Sequence, residues 1–520
     1  MFTHGPRYGP RFARAAMLGI ALLATSGLPA VAAPEGEIVV AQPLLRQQYD
    51  PTAMVATTDF LTFDMLYDGL LNLTDEGKKP ALALSWEISE DGKQFDVKLR
   101  EGVLFHNGET MTAEDVKFTF ETILGPDNTH SYRQAFVNSL ERVEVLSPYE
   151  VRFVLKQPWP AFFTSVRYSP LGIVPKAYYE EVGPEEFRKR PIGTGPFKLA
   201  DQQAGEWSRY EAHEDYWGGA PDIAAVTQRL VSEPFTRYAM LERGEADIAM
   251  GLSGPLLERI RSNPDIRIVS AKYSGTSGLH FSRTEFPESA NKEVRLAIAH
   301  AIDREGIAQS ILAGVCEPSS SILTPATFGH LPGLELIPYD PETATQMLRD
   351  AGIEKGHEVS YSIHTESFGS LPNAPQVLEA IAGNLEAVGF KLNRRPYETG
   401  AWLAMMRAGN QTGIFYGPSS IPDDGGETLN GWYSSEAVWS SGNVNVPEYD
   451  EIFRKQLMEP DLEERKKMIQ SFARIENERL EAVPLFWCST PFAVNSRIGD
   501  WTPGVGSGYH LNLDELNLAN

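Results

Sequence analysis

The stretch from Pro80 to Val116 constrains the fold of this chain more tightly than any other. Residues up to Ile88 read as a strand, and Asp91-Gly92 is a two-residue turn of the kind that closes a hairpin. Phe95, Val97 and Leu99 then alternate with Asp96, Lys98 and Arg100, so the returning strand buries one face. His106-Asn107-Gly108 supplies a further turn. Thr112, with Asp115 three residues on, is a capping-box pattern that opens a helix whose Val116, Phe120 and Ile123 share one side. Nothing in the stretch is catalytic. It prescribes a small antiparallel sheet with a helix packed on it.

The chain has 520 residues and a formal charge of −24. Its first 32 residues read as a secretory leader: Arg7, Arg11 and Arg14 precede the short apolar run Ala15–Ala24, and Ala30-Val31-Ala32 offers a small-residue cleavage site. Loss of that leader, with three arginines and no acids, takes the charge to −27 on about 488 residues. So acidic a surface excludes broad binding to nucleic acid or anionic lipid. No later run is long and apolar enough to span a bilayer, so the expected product is soluble. The length suggests two to four domains. An exported compartment permits a disulfide between the two cysteines, Cys316 and Cys488. The alternative is a pair of small buried hydrophobes, because sequence gives no Cα separation.

More motifs follow in order. Pro191-Ile192-Gly193-Thr194-Gly195-Pro196-Phe197 combines two glycines and a proline in a crossing loop of little side-chain bulk, without the Gly-Lys-Ser/Thr ending of a phosphate loop. Tyr216-Trp217-Gly218, Leu241 to Ile248, a helix from Asn291 to Arg304, and Tyr339-Asp340-Pro341-Glu342 come after it. Together with Pro80–Val116, these closely resemble the signatures of the large solute-binding proteins of ABC importers, family 5, the peptide- and nickel-binding type. The resemblance runs from about residue 38 to the end.

It implies an α/β fold with two lobes, the periplasmic-binding-protein fold of type II-like topology (cluster C), with an extra subdomain on lobe one. The expected division is a signal peptide at 1–32, lobe one at 33–272 with the extra subdomain at 79–190, lobe two at 273–487, and a return to lobe one at 488–520. Chain crossovers near 271–278 and 482–490 would act as the hinge. The implied function is the extracytoplasmic receptor of an ABC transporter in the periplasm. It captures a peptide or related small solute and delivers it to permease subunits in the membrane, working as a monomer without nucleic acid or cofactor. A sugar, opine or sugar conjugate is the alternative cargo; an exported enzyme or a signalling receptor is a more distant one.

No enzyme signature appears. None of the ten histidines lies in an H-E-x-x-H context, and no Gly-x-Ser-x-Gly elbow is present. Trp402 matches the tryptophan that starts a lobe-two helix in peptide-binding members. Ser419 or Ser420 stands where those members carry an aspartate for the peptide amino terminus. Asp423 comes three or four positions later, and the Asp423-Asp424 pair reads as solvated loop acids. The stretch Ser362-Ile363-His364-Thr365-Glu366 lacks the arginine that holds the peptide carboxylate. What remains is aromatic and hydroxyl-rich: Tyr416, Ser419, Ser420, Trp432, Tyr433 and Trp439 as a pocket wall, Tyr273, Thr276 and Ser277 at the hinge, and His364 nearby. His106, His280 and His364 are scattered without metal-ligand spacing, so no metal site is expected.

Overall fold

A computed structural model describes residues 34–519, apart from residues 46, 54–58, 75–76, 131–132, 160–161, 163–170, 253–254, 367–370, 421–423, 436, 438–444, 460 and 505–510. The leader expected at 1–32, Asp423 and Trp439 thus lie outside the described residues.

The chain opens with β1 (Glu37–Gln42) and a short helix, Phe60–Leu66. A two-stranded ribbon, β2 (Leu71–Thr74) and β3 (Gly77–Pro80), leads into an antiparallel sheet of β4 (Ala83–Ile88), β5 (Gln94–Leu99), β6 (Leu140–Ser147) and β7 (Glu150–Leu155), ordered β4-β5-β7-β6. This sheet matches the expectation for Pro80–Val116. Gly92 takes the positive φ of 66° that the hairpin requires. Phe95, Val97 and Leu99 are buried. Both bonds of the Thr112/Asp115 capping box form, and the helix Ala113–Leu124 buries Val116, Phe120 and Ile123 against the sheet.

The rest of the chain builds one eleven-stranded mixed sheet. Its members are β1, β8 (Phe197–Gln203), β9 (Trp207–Ala212), β10 (Ala225–Leu230), β11 (Ile248–Ala249), β12 (Ile266–Phe281), β13 (Cys316–Pro318), β14 (His357–His364), β15 (Phe390–Tyr397), β16 (Ile414–Ser420) and β17 (Val483–Asn495). The order is β15-β14-β16-β12-β17-β11-β1-β10-β9-β8, with β13 on the edge of β17. Helices cover its faces, giving the two-lobed α/β architecture. One lobe gathers β14–β16 and the other gathers β1 and β8–β11.

Three of the motifs meet in one place. His106 Nδ1 accepts from Gly193 N–H at 3.2 Å, and its Nε2 lies 3.0 Å from the Gly195 carbonyl. That pattern requires neutral imidazole, and burial holds the His106 pKa down at about 3. A Cβ on Gly195 would sit 2.5 Å from the Tyr67 backbone nitrogen, and one on Gly193 would sit 2.0 Å from the Leu66 carbonyl oxygen. Only glycine admits so close a crossing. Asp68, next along the chain, accepts from Thr194 Oγ1 (2.9 Å), Tyr216 OH (2.9 Å) and Trp217 Nε1 (2.8 Å). These motif residues are therefore one hydrogen-bonded knot, and a structural one.

One expectation of an element boundary differs. The helix from Asn291 to Arg304 is two helices, Lys292–Ala301 and Arg304–Ser310, because the Asp303 side chain accepts from Gly306 N–H and caps a second start. β12 and β17 are long strands, of 16 and 13 residues. Their apolar pattern is interrupted by Gly275, Thr276, Ser277 and Gly278 in one and by Ser489-Thr490-Pro491 in the other, which hides the continuity.

Candidate functional site

Strand register locates the site. β11 runs antiparallel to β17 with Ile248↔Val494 and Ala249↔Ala493, and parallel to β1. Moving toward the carboxyl ends of β1, β10 and β11 is therefore moving back along β17 toward residue 488. In the other lobe β16 is antiparallel to β12, from Phe281↔Ile414 to Thr276↔Ser420, and β14 and β15 run parallel to it. Their carboxyl ends point down β12 toward residue 271. The carboxyl ends of the two groups of parallel strands thus face each other across the point where β12 and β17 pass between lobes. Open α/β sheets bind ligands in such a crevice.

The lobe-two rim at this crevice is formed by the ends of β14 (His364), β15 (Tyr397) and β16 (Ser420). Trp402 lies on the helix Thr399–Arg407 that follows β15, with its ring centroid 5.2 Å from that of His364. Tyr416 approaches the same imidazole edge-on, also at 5.2 Å. A second group forms on β12. His280 stacks on Phe415 and on Trp432, each at 5.5 Å with ring planes within 23° of parallel. Tyr433 lies 6.4 Å away. Gly417 permits the stack, since a Cβ there would come within 2.8 Å of the His280 ring. Trp432 and Tyr433 belong to a π-helical turn, Leu429–Tyr433. Such turns widen the helical spiral and recur at functional sites.

Not all of the candidate residues share a surface. Phe415 pairs with His280 and Tyr416 with Leu279, and successive strand residues face opposite ways. Tyr416 accordingly packs into the core behind the sheet, with Leu279 and Tyr361, while Trp402, Trp432 and Tyr433 share the core on its other side. All four are buried, at 0–4 % exposure, so they shape the crevice from beneath its surface. Ser419 and Ser420 end β16 at the rim. Thr276 and Ser277 are buried on β12; the Ser277 hydroxyl donates to the Phe486 carbonyl at 3.4 Å, and Thr276 Oγ1 has no hydrogen-bond partner among the described residues.

Burial holds both crevice histidines neutral. It lowers the His280 pKa to about 3, and that of His364 to about 4 against a small opposing pull from Glu366. His106 is tied to Gly193 and Gly195 in the knot of the other lobe, so the three histidines serve separate places.

Asp424 departs from the expectation of a solvated pair. It is 1 % exposed and receives a bidentate grip from Arg465 at 2.7 and 2.8 Å, and its Oδ1 also accepts from Gly426 N–H. Arg465 in turn donates to Gln456. The partner lies 41 residues on in a helix, which local sequence could not reveal. Glu427, one turn after Asp424, has its pKa raised to about 7 by burial and by the Asp424 charge.

Two crevice residues escaped the sequence reading. Trp487 and Glu317 form one cross-strand row with Thr276, through Thr276↔Trp487 and Glu317↔Trp487. Trp487 Nε1 donates to the Ser321 carbonyl at 2.9 Å, and the Tyr273 ring meets the indole edge-to-face at 6.3 Å. Their shared row depends on pairing segments more than 150 residues apart. Cys316 and Cys488 are joined in a disulfide immediately beside this row.

Comparison with known proteins agrees with this geometry. The profile of bacterial extracellular solute-binding proteins, family 5 (middle), matches residues 78–440. Heme-binding protein A of Haemophilus influenzae is 28% identical over 429 residues, covering 78% of each chain. Di/tripeptide-binding protein 2 of Pseudomonas aeruginosa is 27% identical over 494 residues, covering 89% of this chain and 92% of its own. The structure of HbpA2 from Haemophilus parasuis superposes with a TM-score of 0.83 at 23% identity, over 93% of this chain and 100% of that one.

Proposed function

From the premise that this chain belongs to family 5 of the bacterial extracellular solute-binding proteins, we propose that it captures a short peptide or a related amide-bearing solute in the crevice between its lobes. The carrying observation is the register just described, which turns the carboxyl ends of both groups of parallel strands onto one crevice spanned by β12 and β17. A relative that spans nine-tenths of the chain binds di- and tripeptides, which favours this cargo.

The receptor is exported by the 1–32 leader, works as a monomer in the periplasm and hands its cargo to ABC permease subunits. Lobe one comprises 33–272 with the tail from 488, carries 79–190 as its extra subdomain, and closes on lobe two by bending where β12 and β17 cross. The neutral site histidines and the aromatic floor of Trp402 and Trp432 serve orientation and exclusion of water; the receptor's action is the binding and release of cargo. A sugar, opine or sugar conjugate is the second reading. It is favoured by the serines at 419–420 and by the 362–366 stretch without arginine, where a zwitterion clamp would need opposite charges.

Thermal unfolding with added L-alanyl-L-alanine, L-alanyl-L-alanyl-L-alanine, glutathione, mannopine and sucrose tests the choice. A bound solute at a hundred times its Kd adds about 2.7 kcal/mol of stability. Stabilisation by a di- or tripeptide supports the proposal. Stabilisation by mannopine or sucrose with none from any peptide replaces it with the second reading.

A further inference from the structure

The two strands that cross between the lobes are not continuously paired. On the lobe-one side β12 and β17 run in register from Ile266↔Asn495 to Ala271↔Thr490, and on the lobe-two side they resume at Gly275↔Cys488. Between these points β12 has three residues, Lys272, Tyr273 and Ser274, against one on β17, Ser489. Tyr273 takes a positive φ of 56°, which a bulky side chain adopts only where the surrounding fold imposes it. The ladder is therefore interrupted at the crossing, and bending there disturbs few backbone hydrogen bonds.

The lone residue on β17 is not idle. Ser489 N–H donates to the Val315 carbonyl at 2.8 Å, on the segment of β13, while its Oγ accepts from the Tyr273 N–H of β12 at 3.4 Å. The next link is covalent: Cys316 and Cys488, paired in register between β13 and β17, form the disulfide. β17 is thus fastened to the segment of β13 by a covalent bond at Cys488 and a hydrogen bond at Ser489. Trp487 adds a third tie through its bond to the Ser321 carbonyl.

We propose that the Cys316–Cys488 bridge is the lobe-two anchor of the hinge. It confines the bending that closes the lobes to Lys272–Ser274 on one strand and Ser489–Thr490 on the other. Both cysteines are positioning residues for solute capture and touch no solute themselves. Without the bridge, strain from lobe movement spreads up β17 and peels it from β13, with which it pairs in register over three residues. The crossing then loses its fixed axis. The inference rests on the receptor reading above, but its test uses solute-free protein, so a failed search for cargo does not bear on it.

Amide hydrogen exchange on the whole mature chain, oxidised against Cys316→Ser/Cys488→Ser, reads the anchor directly. The expected result is a gain of about tenfold or more in exchange at Ser489 and at residues 316–318, with Ala493–Asn495 and the β14 core at Val359–Ile363 unchanged. Wild-type protein held under a phosphine reductant repeats the comparison without mutation, should the double variant fold poorly. Equal exchange with and without the bridge overturns the proposal, because the bridge would then hold nothing at the crossing. Faster exchange spread evenly through β14 overturns it as well, by reducing the bridge to general stabilisation of lobe two.

Discussion

Asp68 offers the sharpest test of the motif knot. It is 4 % exposed, and its carboxylate is the common acceptor for Thr194, Tyr216 and Trp217. Burial raises its pKa from 3.8 to about 6, with a further push from Asp64, although the three hydrogen bonds pull the other way. A carboxyl whose folded pKa lies above its unfolded value contributes stability that is complete below pH 3.8 and is lost as pH rises through 6. The shift of about two units is worth about 3 kcal/mol over that window. In Asp68→Asn, the amide oxygen can take the Oδ2 position and accept from Thr194 and Trp217, and the Tyr216 hydroxyl can turn to accept from the amide nitrogen. The indole N–H of Trp217 can only donate, so the amide is confined to this one orientation, at a small cost. That cost is constant with pH, whereas the ionisation cost of the aspartate is not. Urea unfolding at pH 4.5 and pH 7.5 should therefore show the variant gaining on wild type by about 2 kcal/mol between the two pH values. A variant that is destabilised equally at both pH values would refute the reasoning. It would mean that Asp68 ionises in the fold as freely as in the unfolded chain.

Other consequences follow from single groups. Arg465→Met strips the buried Asp424 of its guanidinium and should cost about 3–5 kcal/mol in urea unfolding, with the double variant Asp424→Asn/Arg465→Met recovering part of the loss. Glu476 is buried, bonds Tyr449 OH and the Ala482 N–H, and has its pKa lifted to about 8 by burial and by Glu481, against the pull of Arg295. Its stabilising contribution is present below pH 4.5 and lost through pH 8, so Glu476→Gln should gain on wild type as pH rises from 5 to 9; parallel pH curves would show the carboxyl ionising without penalty. Gly195→Ala drives a Cβ to 2.5 Å from the Tyr67 backbone nitrogen, so its thermal unfolding midpoint should fall by several degrees, while Gly183→Ala, strained in φ but in open space, should fall by less.

The residues that made this chain legible are those whose job is local. Asp91-Gly92, the alternation of Phe95, Val97 and Leu99, and the Thr112 cap act within a dozen residues of themselves, so pattern and periodicity reveal them directly. The motifs further along were legible as resemblance, but their common purpose was not. That Gly193, Gly195, Thr194, Tyr216 and Trp217 converge on His106 and Asp68 follows only from tertiary contacts spanning roughly 85–150 positions.

The site was less legible still, for a physical reason. A crevice at the carboxyl ends of strands from two lobes takes each of its walls from a different loop, and loops carry no periodicity. Trp402, Tyr416 and Trp432 could be singled out as aromatic, but which side of its strand Tyr416 occupies depends on register, and register is set by pairing with β12 more than 100 residues away. The pairing separates Tyr416 from Trp432 and brings Trp487 and Glu317 into line with Thr276. It also converts two cysteines with no local context into a bridge. Composition allowed Cys316 and Cys488 to pair, but only the path of β17 explains why a bond at that point matters: it ties β17 to β13 beside the crossing between the lobes. The features that tell one member of such a family from another should accordingly be sought where long-range pairing ends, at residues 271–275, 316–318, 417–420 and 487–490, and not in the motifs by which the family is recognised.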